Sequence, residues 1–277
     1  MTENAPILVL GGRGKTGRRV VARLQDRGVP VRVGSRTTGT RFDWTAPETW
    51  GPALDGVGAV YVVPMNEFVD QSAVEDFVRL AAEAKVRRLV LLSARGGDGH
   101  ALPEQEPVER AVRDSGAEWT ILRPAWFAQN FSEDFFLEPL LAGELALPTG
   151  EGREAFVDAE DIADVAVAAL TGDGHAGEIY ELSGPEALSL RSVVSLISEA
   201  TGRDIRYLPV GVADFTAALT SQGWPSDVVE TVTALLGKIA DGRGEHLSDG
   251  VQRALGRAPR PFADYVKSTA ATGVWNP

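Results

Sequence analysis

Short apolar runs alternate with amphipathic stretches through the first half of the chain. Residues 7–10 are four apolar residues followed by glycine, and residues 15–27 then place Val20, Val21 and Leu24 at helical spacing. The alternation continues with expected strands at 31–33, 59–63, 88–92 and 119–122, and expected helices at 70–85 and 103–115. Strands that alternate with helices in this way predict βαβ units, a parallel sheet and helices on both of its faces.

The hydrophobic pattern changes in the second half. It predicts helices at 131–141, 158–170 and 189–201, strands at 156–157, 178–182 and 205–208, and mostly helix thereafter. Asp158 is a candidate helix N-cap. The sequence therefore predicts an α/β fold, with a Rossmann-type doubly wound parallel sheet in residues 1–153. Residues 154–277 are expected to form a smaller, helix-rich C-terminal substrate lobe, interleaved with the first part in one compact body.

Three glycines with two residues between each pair, Gly11, Gly14 and Gly17, lie between the first expected strand and helix. In this context such glycines allow a sharp turn, close approach of backbone to a diphosphate, and close packing of the helix. The helix N-terminus adds free N–H donors. The loop, with Lys15 and Thr16, therefore predicts a dinucleotide diphosphate site; the alternative is a glycine-rich turn that binds nothing. A Walker A loop is excluded because position 9 is valine.

The residues after the second expected strand favour NADP(H) over NAD(H). NAD enzymes place an acidic residue there for the ribose 2′-hydroxyl, but this chain has Ser35 and Arg36. Arg36 and Arg13 can pair with a 2′-phosphate, and Ser35 can donate to it. The alternative is that both arginines are solvated surface charges. Asp43 is either an adenine contact or a turn residue.

Composition limits the partners. The chain of 277 residues has 39 acidic and 27 basic side chains and a net charge of −12, which argues against nucleic acid and anionic membrane surfaces. Cysteine is absent and the three histidines lack metal-ligand spacing, so we predict no metal site. No signal peptide pattern or long apolar run is present, which favours a cytoplasmic protein.

Several segments resemble the NmrA-like, atypical short-chain dehydrogenase/reductase family. They are the glycine loop, the strand end Leu91-Leu92-Ser93, the segment 119–124 and the segment 156–163. Residues 42–50, 123–132 and 256–262 are similar to the festuclavine/agroclavine dehydrogenase-like reductases of ergot-alkaloid pathways. The resemblance implies an NADP(H)-binding Rossmann fold, a substrate pocket between the sheet edge and the C-terminal lobe, and hydride transfer to an iminium-like acceptor. A homodimer is common among related folds.

The sequence departs from the wider family at the Tyr-x-x-x-Lys proton donor. Ala101 and Gln105 stand where the tyrosine and lysine are expected, and no tyrosine in the chain has lysine four residues later. Without this general acid, the acceptor must already be electrophilic. An iminium or imine, a quinone or a polarised enone meets this requirement.

The ends of the expected strands supply the remaining site residues. Ser93 is a candidate catalytic residue that would bond the acceptor or the nicotinamide carboxamide; alternatively it caps local backbone. His100 is the other candidate, with a solvated loop residue as the better alternative. Val63, Pro64 and Pro124 are expected beside the nicotinamide. The expected substrate wall consists of Met65, Trp126, Phe127, Asn130 and Phe131, although each aromatic residue could equally belong to the core.

Two acidic residues and one arginine have structural interpretations. Asp158 and Asp161 lie at an expected helix start, where carboxylates satisfy N–H groups, and this role is favoured over paired acid/base chemistry. Arg123 is also expected to be structural.

Two functions fit these observations. The first is an NADPH-dependent reductase of a small, planar or cyclic molecule. The second is a regulatory protein that senses NADP(H) without turnover, which the NmrA-like resemblance also allows. The apolar aromatic residues after position 125 favour the enzyme, because a sensor needs no substrate wall.

Overall fold

The structure is a computed structural model that describes residues 5–37, 39–64, 71–96 and 102–277. Its strands, in chain order, are β1 (Ile7–Val9), β2 (Val31–Ser35), β3 (Thr40–Arg41), β4 (Ala59–Val62), β5 (Arg88–Leu92), β6 (Glu118–Pro124), β7 (Glu144–Leu147), β8 (Arg153–Glu154), β9 (Glu178–Leu182), β10 (Leu188–Ser189) and β11 (Arg206–Pro209). Most of these strands form one large sheet, and the others form two small pairs.

The α-helices, over the same residues, are α1 (Gly17–Asp26), α2 (Trp50–Leu54), α3 (Gln71–Glu83), α4 (Glu106–Asp114), α5 (Asn130–Glu133), α6 (Leu137–Leu141), α7 (Ala159–Thr171), α8 (Leu190–Thr201), α9 (Val212–Ser221), α10 (Ser226–Ala240), α11 (Gly250–Leu255) and α12 (Phe262–Ala270). Short 3₁₀ turns precede α2 and α4. Among the described residues, no helix combines the length and the apolar character needed to cross a bilayer.

The main sheet has seven strands in the order β3-β2-β1-β4-β5-β6-β9, and every neighbouring pair is parallel. Leu8, Leu10, Val60 and Val62 pack with α3 and α4 on one face. Because side chains alternate along a strand, Tyr61 lies on the opposite face, to which α1 and α7 belong. The expected α/β fold with a doubly wound parallel sheet is confirmed.

The chain divides into two compact units. The sheet unit consists of Met1–Pro124, Ala159–Leu182 and Asp249–Ala258, and the second unit consists of Ala125–Asp158, Ser183–Ser248 and Pro259–Pro277. The pairing of β9 with β6 draws α7 and β9 into the sheet unit. Each unit is therefore built from three separate stretches of the chain.

The second unit has its own aromatic core. Phe131, Phe136, Phe156 and Phe262 pack against one another, and the indole of Trp275 donates to the Phe131 carbonyl at 2.7 Å. The strand β7 pairs in parallel with β11, and β8 pairs antiparallel with β10.

Two expected elements were wrong in detail. The helix expected at 131–141 is two short helices, α5 and α6, because Asp134 adopts an extended conformation between them. The strand expected at 156–157 is only a single bridge between Val157 and Phe127. Both stretches are rich in buried aromatic residues, whose packing decides the backbone path more than their periodicity does.

Candidate functional site

The carboxyl ends of five neighbouring parallel strands carry most of the expected cofactor residues. The glycine loop follows β1, Ser35 ends β2, Val63 follows β4, Ser93 follows β5 and Pro124 ends β6. In open parallel sheets, ligands bind outside this edge.

The glycine loop is held by close backbone contacts. Gly11 has a positive φ of 60° and its carbonyl accepts a hydrogen bond from the Gly14 N–H at 2.8 Å. A Cβ at Gly17 would lie 2.2 Å from the Gly11 carbonyl oxygen, and one at Gly12 would lie 2.6 Å from Cγ1 of Val33. Gly14 is less constrained, since its Cβ would lie 3.2 Å from the Gly11 oxygen. The loop therefore turns back on the start of α1, and only glycine permits this.

Open backbone donors lie where this loop enters α1. Within the described residues, the N–H groups of Thr16 and Gly17 have no hydrogen-bond acceptor. The side chain of Thr16 makes no capping bond either. Arg19 donates to the Lys15 carbonyl at 2.7 Å, which fastens the loop to the first turn of the helix. Free N–H groups at a helix N-terminus fit the anionic diphosphate of a dinucleotide.

Hydroxyl and guanidinium groups meet at the end of β2. Arg13 from the glycine loop donates to the Thr37 hydroxyl at 3.5 Å, and the Thr37 N–H donates to the Ser35 hydroxyl at 3.2 Å. Arg36 lies between these two residues in sequence and is exposed. The loop arginine therefore contacts the segment that carries Arg36, and guanidinium groups are well suited to bind phosphate.

Asp43 forms a local turn. Its carboxylate accepts from both the N–H and the hydroxyl of Thr45, at 2.9 and 2.8 Å. These hydrogen bonds, with smaller contributions from Arg36 and Arg41, lower the pKa of Asp43. The turn role is thus present, and the adenine contact stays a prediction.

Ser93 belongs to a buried polar network. Its hydroxyl donates to Glu109 at 2.6 Å, and Arg123 donates to the two oxygens of the same carboxylate at 3.0 and 2.6 Å. Glu109 is fully buried, and the hydrogen bonds to its carboxylate raise the pKa of Arg123. Because the serine proton is committed to the carboxylate, Ser93 can offer a ligand only its lone pairs. Arg123 is structural in this sense, as expected.

The residues expected beside the nicotinamide are placed only in part. Val63 lies next to the loop, since a Cβ at Gly11 would be 3.4 Å from it. Pro64 is half-buried, and the Pro124 carbonyl accepts from the N–H of Arg95 at 3.1 Å. Met65 and His100 lie outside the described residues.

The residues of the expected substrate wall differ in how deeply they are buried. Phe131 is completely buried in the core of the second unit, which is the alternative noted for it, and it is a core residue rather than a wall. Asn130 is also buried. Trp126 and Phe127 are half-buried, and Trp126 stacks on Phe136 with ring centroids 6.1 Å apart. These two remain candidates for contact with a ligand.

Asp158 and Asp161, the two acidic residues at the expected helix start, contact different partners. Asp158 accepts from Gln129 at 2.7 Å within the second unit. Asp161 is fully buried in the sheet unit and pairs with Arg257 at 2.7 Å. Both contacts agree with structural roles.

Sequence reasoning missed several residues of this site. Gly12 falls outside the three-glycine spacing, although a Cβ at this position would lie 2.6 Å from Cγ1 of Val33 in β2. Thr37 and Arg19 have no motif signal. Glu109 is one of three acidic residues in an amphipathic helix, and only the packing of α4 against β5 and β6 reveals its partners.

A family profile described as NAD(P)H-binding matches residues 11–173 of the chain. The uncharacterised oxidoreductase YesF of Bacillus subtilis is 32% identical over 290 residues, which cover 99% of each chain. A festuclavine dehydrogenase of Aspergillus fumigatus is 31% identical over 96% of this chain and 98% of its own. The fold is similar to that of an NADPH-dependent quinone oxidoreductase from Escherichia coli, with a TM-score of 0.80, 22% identity, and coverage of 95% of this chain and 99% of that one.

The identity to the festuclavine dehydrogenase does not exceed the identity to YesF, so the finer subgroup stays a prediction. The match over more than half of the chain and the relatives over nearly all of it establish the broader group. The chain therefore belongs to the NAD(P)H-binding, NmrA-like family of atypical short-chain dehydrogenases/reductases, a family of NAD(P)H-dependent oxidoreductases.

Proposed function

We propose that the protein is an NADPH-dependent reductase that transfers hydride to an already electrophilic acceptor, namely an iminium or imine, or a quinone or enone. The observation that carries this proposal is the hydrogen bond from Ser93 to Glu109. It leaves the serine without a proton for a developing alkoxide, and the chain lacks the Tyr-x-x-x-Lys acid in sequence.

The missing acid has an energetic consequence. A positioned general acid contributes about 10²–10⁴-fold to the rate, equivalent to about 3–5 kcal/mol of barrier. Reduction of an unactivated ketone needs that contribution, because the alkoxide must be protonated. A cationic C=N bond becomes a neutral amine without a proton, and a reduced quinone or enone spreads its negative charge until water protonates it.

Different residues of the sheet unit would bind different parts of the cofactor. The open N–H groups of Thr16 and Gly17 would hold the diphosphate. Arg13, Arg36 and Ser35 would hold a 2′-phosphate, which favours NADP(H) over NAD(H). Ser93 would accept a hydrogen bond from the nicotinamide carboxamide or from an N–H of the acceptor. When bound, the reduced nicotinamide supplies the hydride, and orientation against the acceptor does most of the catalysis.

Two further observations support a flat, electron-poor substrate. Trp126 and Phe127 are aromatic side chains with exposed area that a planar ring can cover. Relatives include a festuclavine dehydrogenase, and a protein of the same fold is a quinone oxidoreductase.

The test is NADPH oxidation by the purified protein with three acceptors: a cyclic N-alkyl iminium salt, a benzoquinone and cyclohexanone. Reactions without protein correct for direct chemical reduction. We expect turnover of the iminium salt or the quinone to exceed that of cyclohexanone by at least about 100-fold. Comparable turnover of cyclohexanone would show that a general acid is present. Tight NADPH binding without turnover of any acceptor would favour the sensing protein instead.

A further inference from the structure

Tyr61 is a buried polar side chain that the proposed reaction does not use. It lies in β4 on the face of the sheet to which α1 and α7 belong, and it is fully buried. Its hydroxyl makes no hydrogen bond to any residue that the structure describes. Burial raises the pKa of Tyr61, so the phenol keeps its proton and remains a donor at neutral pH.

The side chain that approaches this hydroxyl is Thr16. The Thr16 hydroxyl lies close to the phenol and partly offsets the effect of burial on the pKa of Tyr61. The two hydroxyl groups nevertheless do not meet the geometry of a hydrogen bond. Thr16 precedes the ten-residue helix α1 and makes no side-chain capping bond. An unpaired buried hydroxyl thus lies beneath the helix N-terminus whose N–H groups are open.

We propose that Tyr61 is a positioning residue for the cofactor diphosphate: its hydroxyl donates to Oγ1 of Thr16, and the Thr16 hydroxyl donates to a diphosphate oxygen. This inference rests on the proposed dinucleotide site. A threonine hydroxyl has one proton and two lone pairs, so it can accept from the phenol and donate to an anion at once. Each hydrogen bond in such a chain strengthens the other.

The arrangement predicts opposite effects on folding and on binding. A buried hydroxyl without a partner costs free energy, whereas the same hydroxyl contributes once a partner is present. Removal of the Tyr61 hydroxyl should therefore stabilise the protein without cofactor and weaken its binding of cofactor. A merely structural tyrosine would lose stability and leave cofactor affinity unchanged.

The experiment compares Tyr61→Phe, Thr16→Val and the double variant with the wild type. Thermal midpoints are measured without ligand, and NADPH dissociation constants are measured by nucleotide fluorescence. We expect Tyr61→Phe to raise the midpoint and to weaken NADPH binding about 3- to 10-fold. The double variant should bind no more weakly than Thr16→Val, because Tyr61 acts through Thr16. Thr16→Ser, which keeps the hydroxyl, should bind as the wild type does.

Tyr180→Phe is the matched control. It removes a phenol hydroxyl from β9, in the same unit, that is bonded to Nδ1 of His175 at 2.9 Å. This variant should lower the thermal midpoint and leave NADPH affinity unchanged.

The outcomes separate the inference from the proposed function. Unchanged NADPH affinity in Tyr61→Phe overturns the inference alone. A lower midpoint in that variant also overturns it, because the hydroxyl would then already be satisfied without cofactor. A wild-type protein that binds no NADPH overturns the proposed function and the inference together.

Discussion

Single residues of the glycine loop are constrained by different atoms. Gly11 is required by its positive φ, whereas Gly12 and Gly17 are required because a Cβ would collide with a neighbouring side chain or carbonyl oxygen. The third glycine of the motif thus permits α1 to pack on the loop itself. The spacing in sequence predicts the loop but does not reveal which glycine is least tolerant.

Gly17→Ala should lower the free energy of unfolding by about 1–3 kcal/mol, because its Cβ would lie 2.2 Å from the rigid Gly11 carbonyl oxygen. The forced shift of the loop should also weaken NADPH binding more than tenfold. Urea unfolding and nucleotide fluorescence measure the two effects. Gly237→Ala, inside α10 where a Cβ meets nothing within 4 Å, is the control and should be neutral or stabilising by up to about 1 kcal/mol. Equal stability of the two variants would contradict the steric argument.

At the scale of elements, an ion-pair network joins α1 to α7. Glu160 pairs with Arg19 at 2.6 Å and with Arg23 at 2.5 Å, and Arg23 also reaches Asp164 at 2.5 Å. Because Arg19 also binds the Lys15 carbonyl, this network connects α7 with the glycine loop. The two helices that cover one face of the sheet therefore also support the cofactor site.

Glu160→Gln should destabilise the protein by about 1 kcal/mol at neutral pH, a modest value because the pair is partly solvated. Partial burial alone would raise the pKa of Glu160, but the hydrogen bonds from Arg23 and Arg19 outweigh it and lower the pKa. A lowered pKa in the folded state gives stability that is present above the ordinary value of 4.5 and is lost as the pH falls through the folded value.

The measurement is urea unfolding of both proteins from pH 7 to pH 3. The gap in stability between them should close in the acidic part of this range. Glu151→Gln, which removes an exposed carboxylate paired with Arg191, should differ little from the wild type at any of these pH values. A gap for Glu160→Gln that stays constant down to pH 3 would show that the carboxylate charge is not what stabilises the helices.

The elements that the sequence predicted well are those with a strong local period. Expected elements lie within a few residues of β1, β2, β4, β5, β6, α1, α3, α4, α7, β9 and α8. The short helix α2 was not predicted. The strand β3 was missed because its two polar residues show no hydrophobic periodicity. The strand β7 was missed because it pairs with β11, which lies far away in the sequence. For the site, the strand-end rule located Ser35, Arg36 and Ser93. This rule could not show that the Ser93 hydroxyl donates to Glu109, because that hydrogen bond depends on how α4 packs against the sheet.

At the scale of the whole molecule, local charge opposes net charge. The chain has a net charge of −12, yet the segments around the glycine loop and the end of β2 contain the cationic residues Arg13, Lys15, Arg18 and Arg36. These cations would attract the phosphates of a nucleotide locally, although the net charge of the chain repels polyanions. This distribution favours a small anionic cofactor and disfavours nucleic acid.

Cofactor binding should be visible as stability of the whole chain, because only the folded state presents the loop. At a ligand concentration about 100 times the dissociation constant, the gain in the free energy of unfolding is about 2.7 kcal/mol, or roughly 5–8 °C in the thermal midpoint for a chain of this size.

If Arg36 binds the 2′-phosphate, Arg36→Ala should weaken NADPH binding by about 10- to 100-fold and leave NADH binding unchanged. Differential scanning fluorimetry with each nucleotide measures both shifts. Arg27→Ala removes the same charge at the far end of α1 and should change neither. An NADPH shift in Arg36→Ala equal to that of the wild type would mean that the discrimination between the cofactors lies elsewhere.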